Sequence, residues 1–122
     1  MKTSRPEEIV AQFNQLIQNN LNELISGVTD EYLDIHKIAD KIHINATHLS
    51  NTVKETTGKS PCDICNEKTI DLIKELLATT DLSIAEIAFK LTYEPTNFTK
   101  YFKKHTGMLP SVYRSTFQQE NT

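Results

Sequence analysis

Apolar residues recur every three or four positions through most of the chain and rarely in alternation, which predicts helices rather than strands. PEEIVAQFNQLIQNNLNELISG places Ile9, Phe13, Leu16, Ile17, Leu21 and Leu24 on one helical stripe and ends on Gly27. PCDICNEKTIDLIKELLATT reads as a second long helix, of about 18 residues and so about 27 Å. The predicted class is all-α.

The same pattern appears twice between these features. Shifted by 49 residues, IHKIADKIHINATHLSNTVKETTGKSP (35–61) falls on IAEIAFKLTYEPTNFTKYFKKHTGMLP (84–110) without a gap, and nine of the 27 positions are identical. Ile42/Leu91, Ile44/Tyr93, Leu49/Phe98 and Val53/Phe102 also agree in apolar character. Each copy reads as a helix-turn-helix. A first helix carries an apolar stripe with a small residue (Ala39, Ala88) suited to a close helix crossing. A turn follows, and then a second helix anchored by apolar residues four apart. Gly58 and Gly107 stand where a helix end wants a left-handed residue, with Pro61 and Pro110 three further on. Asp34, Asn45 and Ser83 are candidate N-caps, Glu86 completes a capping box with Ser83, and Pro95 suits a first turn.

Charge sharpens this picture. The chain carries a net charge of −3, with −4 in residues 1–34 and +1 in residues 35–122. Within the second copy, Lys100, Lys103, Lys104 and His105 occur with no acid between Pro95 and Pro110. In the first, Lys54 is offset by Glu55, and Lys59 lies beyond. A lysine-rich second helix in a helix-turn-helix predicts a grip on a phosphate backbone, stronger in the second copy.

The residues SIAEIAFKL and NFTKYFKKHTGMLPSVYR resemble the DNA-binding domain of the AraC/XylS family of bacterial transcription regulators. The family pattern has Ile-Ala in the first helix, Phe-x-x-x-Phe-Lys-Lys in the second, then Gly-x-x-Pro-x-x-Tyr-Arg, here ending in Tyr113-Arg114. HLSNTVKETTGKSP is similar to the family's first motif, with Val53 where Phe is usual. Thr92-Tyr93 stands where Gly precedes an aromatic, and Thr69 where Arg is common on the linker helix. The resemblance implies about seven helices, with two homeodomain-like helix-turn-helix subdomains (35–57 and 84–106) joined by a linker helix (61–79). It covers a domain at 9–117, between expected tails at 1–8 and 118–122. It further implies promoter binding, activation of transcription and contact with RNA polymerase.

Base reading needs polar groups on the exposed face of each second helix. With Leu49, Val53, Phe98 and Phe102 turned inward, the candidates are Thr47, His48, Ser50, Asn51, Thr96, Asn97, Thr99 and Lys100. Asn51 suits adenine N6/N7; Lys100, where the family often has Arg, suits guanine O6/N7 with softer discrimination. Lys54, Lys59, Lys103, Lys104 and His105 are the candidate phosphate contacts. The expected function is a regulator reading two successive major-groove segments of an asymmetric site. The rival is a helix-turn-helix body that docks on polymerase or another regulator without reading DNA, as an acidic first helix would suit.

Other chemistry finds little support. Cys62-x-x-Cys65 lacks a second ligand pair, so Cys65 reads as a small core residue rather than a metal or redox group. His36 and His43 read as surface residues, and no catalytic spacing or phosphate loop is present. Arg114 is expected to make a structural ion pair. No cofactor and no membrane span are expected, and the cytoplasm is the expected compartment.

Overall fold

The computed structural model of the chain describes residues 4–120, and side chains as far as residue 117. Seven helices, and no strand among the described residues, follow in order: α1 (Arg5–Ser26), α2 (Ile35–Ile42), α3 (Ala46–Thr57), α4 (Pro61–Thr79), α5 (Ile84–Lys90), α6 (Pro95–Thr106) and α7 (Pro110–Glu120). The all-α class with two helix-turn-helix units and a connecting helix is therefore observed. Helix extends into both expected tails. α1 starts at Arg5 because Ser4 accepts a hydrogen bond from the Glu7 amide and Pro6 fits the first turn. α7 likewise runs past 117. The remaining tail positions, 1–3 and 121–122, lie outside the described residues.

Short polar side chains set the helix starts. Asp34 Oδ1 accepts from the Lys37 amide at 2.9 Å, Asn45 Oδ1 from His48 at 2.7 Å and Ser60 Oγ from Asp63 at 3.1 Å. Ser83 and Glu86 form the reciprocal capping box. Each such cap contributes about 1 kcal/mol.

The two copies repeat their backbone bonds as well as their sequence. In the turn, the Ile44 amide donates to Ala39 O at 3.1 Å, and the Tyr93 amide to Ala88 O at 2.8 Å. To close it, His43 takes φ 66° and Thr92 φ 64°, left-handed values that strain a β-branched residue most. At the exits, the Thr57 hydroxyl donates to Val53 O and accepts from the Lys59 amide; Thr106 does the same with Phe102 O and the Met108 amide. Gly58 and Gly107 follow in the left-handed region.

α1 packs on α2, α3, α4 and α5, so one helix backs both units. Phe13, Leu49, Val53, Ile73, Ile87, Ala88, Phe98 and Phe102 lose all solvent contact within one core cluster. Two cations cap helix ends across this core. Lys90 Nζ donates to Ile25 O at the end of α1 at 3.2 Å. Arg114 Nε donates to Leu77 O at 3.1 Å, and its Nη2 to Thr80 O at 3.3 Å. The ion pair expected for Arg114 is thus replaced by carbonyls that the last turn of α4 leaves without intrahelical partners, where a cation also meets the negative end of the helix dipole.

Candidate nucleic-acid interface

The second helix of each unit, α3 or α6, is held by two inward anchors: Leu49 and Val53, or Phe98 and Phe102, all at 0% exposure. Anchors four apart fix the rotation of the helix about its axis, so the opposite face is presented to solvent. On α3 that face carries exposed Thr47, His48, Asn51 and Lys54; on α6 it carries exposed Thr96, Asn97, Lys100 and Lys103. Each of these four pairs is separated by the 49-residue repeat, so the two faces are equivalent surfaces. Ser50 and Thr99, another repeat pair, sit half-buried at the edge and offer less to a ligand.

Among the described residues, Lys54, Lys100, Lys103 and Lys104 enter no ion pair. Lys103 and Lys104 sit in the last turn of α6, where their attraction to the helix dipole is favourable but leaves the ammonium heads free, while Lys100 lies at mid-helix. Lys59 differs. Its Nζ lies 2.7 Å from Glu67 Oε1, and that bond raises the lysine's pKa above its ordinary value. A phosphate would have to compete with Glu67 for it. The exposed His105 ring lies 4.6 Å from that of Tyr101, tilted 60° to it.

Three features escaped the sequence reading. Glu94 caps α6, accepting from the Thr96 amide at 3.5 Å, and so sets a negative charge at the start of the basic helix. Its repeat partner Asn45 does the same job without charge, and the alignment of Asn45 with Glu94 was the available signal. Thr69 is buried, its hydroxyl donating to Cys65 O at 2.8 Å, so it presents nothing to a backbone. Tyr32, Tyr93 and Tyr101 cluster between the units, a juxtaposition that no local spacing announces.

The two cysteines differ in exposure. Cys62 is exposed, and Cys65 is half-buried against the core, where burial pushes its thiol up to about 11. A thiol so shifted is a poor nucleophile near neutral pH.

A family model described as a helix-turn-helix domain matches residues 38–116. The uncharacterized HTH-type transcriptional regulator YtdP of Bacillus subtilis strain 168 is 32% identical over 99 residues, covering 80% of this chain and 13% of that protein. The chain spans from 13% to 38% of the length of the first curated relatives it matches. Among solved structures, the C-terminal domain of AraT, a response regulator from Geobacillus stearothermophilus, aligns with a TM-score of 0.78 at 29% identity, covering 93% of this chain and 88% of that one. The DNA-binding domain of AdpA, a global transcriptional factor, in complex with a target DNA, shares the fold with a TM-score of 0.74 at 18% identity, covering 97% and 96%.

Proposed function

Since the chain belongs to the AraC/XylS-type family of helix-turn-helix DNA-binding transcription regulators, we propose that it reads two successive major-groove segments of an asymmetric promoter site and activates transcription from it. The observation that carries this reading is the pair of equivalent, solvent-facing polar surfaces on α3 and α6, each backed by buried anchors. Thr47, His48, Ser50 and Asn51 would meet base edges in one groove, and Thr96, Asn97, Thr99 and Lys100 in the next. Bidentate pairing suits Asn51 to adenine, while the single ammonium of Lys100 suits guanine less selectively.

Lys54, Lys103 and Lys104 would neutralise phosphates, with His105 and, after release from Glu67, Lys59 adding to them. Units in tandem are not related by a two-fold axis, which supports a site without palindromic symmetry. RNA polymerase is the partner that activation would engage, in the cytoplasm.

Selection of bound oligonucleotides from a random pool, followed by salt titration on the selected site and on scrambled DNA, tests the proposal. The expected outcome is an affinity ratio of at least about 10³ for the selected site. The log–log salt slope should be about −3 to −4, near −0.9 for each phosphate neutralised. A pool left without base preference, together with a flat salt response, would favour the rival in which the body docks on another protein.

A further inference from the structure

The two copies agree wherever they build a helix-turn-helix, so the positions at which they differ in kind carry separate information. At Thr52/Tyr101, and at Ile44/Tyr93 where only the apolar character is shared, the second copy has a phenol in place of a buried threonine and an aliphatic side chain. Both phenols face the other half of the molecule. Tyr93, held in the turn by the hydrogen bond its N–H donates to Ala88 O, stacks on Tyr101 of α6 with ring centroids 5.2 Å apart and planes 22° apart. On its other side Tyr93 meets Tyr32 edge-on at 6.2 Å.

Tyr32 belongs to the segment between α1 and α2, and that segment is pinned to α1. Buried Asn20 donates to Glu31 O at 2.8 Å and accepts from the Leu33 amide at 3.0 Å. At the other end of the row, Tyr101 Oη donates to Asn66 Oδ1 on α4 at 2.8 Å. Burial pushes all three phenols above the ordinary tyrosine range, as their mutual packing requires. A continuous path of contacts therefore runs from α1 through three rings to α4, passing through both the turn and the second helix of the second unit.

We infer that Tyr32, Tyr93, Tyr101 and Asn66 form a brace that fixes the angle of α6 relative to α3, and so makes the protein discriminate the spacing between its two DNA segments. This rests on the reading proposed above, but the brace itself is a property of the free protein. Other ties to the first half run through α5, packed on α1 and α4 with Lys90 capping Ile25, and through α7, packed on α4 with Arg114 on Leu77 and Thr80. α6 itself, and the turn that leads into it, meet the first half directly through Tyr101 on Asn66 and Tyr93 on Tyr32. One extra base pair moves the second groove segment by about 3.4 Å along the axis and about 35° around it. A protein held in one register cannot follow that change without losing contacts.

Two measurements test the brace. The first needs no DNA: spin labels on Glu55→Cys and Lys104→Cys, a repeat pair at the exposed ends of α3 and α6, in a Cys62→Ser, Cys65→Ala background. One narrow distance distribution is expected, at least doubled in width by Tyr93→Ala; an unchanged width would overturn the brace. The second uses the selected site with zero, one or two base pairs inserted between its halves. The parent should lose at least tenfold in affinity on one insertion, and Tyr93→Ala no more than threefold. Tyr101→Phe, which keeps the ring and loses the bond to Asn66, should fall between them and also serves if Tyr93→Ala does not fold. Equal weakening on every spacer, with the ratio unchanged, would mark the tyrosines as mere packing and overturn the inference. A parent protein that selects no DNA sequence would defeat the proposed function, while the label distances would still decide the brace.

Discussion

The two helix-turn-helix units share a turn bond, a left-handed turn residue, a threonine-glycine exit and four buried anchors, yet their outer faces differ in charge. Along α6 the solvent side ends in Lys100, Lys103, Lys104 and His105; the same places on α3 hold Asn51, Lys54, Glu55 and Thr56. The backbone needs the same few residues each time: small at 39 and 88, apolar at the anchors, glycine at 58 and 107. The outward residues of α3 and α6 at 51, 55 and 56 and at 100, 104 and 105 are outside this set and differ between the copies. One unit has kept a neutral face suited to hydrogen bonding, while the other has gathered charge, so base discrimination and backbone grip need not be shared evenly.

The comparison can be broken most severely in the core. Phe98→Ala should cost about 3–5 kcal/mol and Leu49→Ala about 2–5 kcal/mol. Because α1 backs both units, each should shift one cooperative denaturant transition; two separate transitions would mean that the units are energetically independent. At the reading surface, Lys100→Ala should cost about 1–3 kcal/mol on the selected site and relax preference at one base pair. Lys103→Ala should weaken all sequences alike and flatten the salt slope by about one unit. Equal losses for Lys100→Ala on specific and random DNA would contradict a base contact.

Smaller effects compare the turns and the caps. Glycine in place of Thr92 removes left-handed strain of about 1–2 kcal/mol and adds unfolded-state entropy of about 0.4–1 kcal/mol. The net gain in stability should be about 0.5–1 kcal/mol. His43→Gly should gain less, since histidine tolerates that region better. Glu94→Asn copies the cap of the first unit into the second. Removing a negative charge from the start of α6 should tighten DNA binding by about 0.3–1 kcal/mol, measured at low salt.

Much of this was legible in the sequence because it is local. The ends of α3 and α4, the caps at Asp34, Asn45 and Ser83, and the burial of Leu49 and Phe98 follow from spacing and from residues within one turn of each other. The start of α1 was legible to within one residue, from Pro6, but its cap, Ser4, was not read. Long-range partners were not legible. Arg114 meets carbonyls 34 and 37 residues earlier, and Tyr101 meets Asn66 35 residues away. No periodicity encodes such pairs. For the reading surface, exposure was deducible by elimination from the buried anchors, but the pairing of Lys59 with Glu67 across the exit was not.

The grip of Arg114 on the end of α4 also bears on the order in which the molecule is completed. On a ribosome, the carbonyls of Leu77 and Thr80 must wait until the C-terminal residues have left the exit tunnel before that guanidinium can reach them. Nascent chains long enough to bring residue 80 out of the tunnel while Arg114 is still inside it should therefore yield to protease near residue 80, and longer ones should not. The contact between α7 and the end of α4 would then close after α4 has formed.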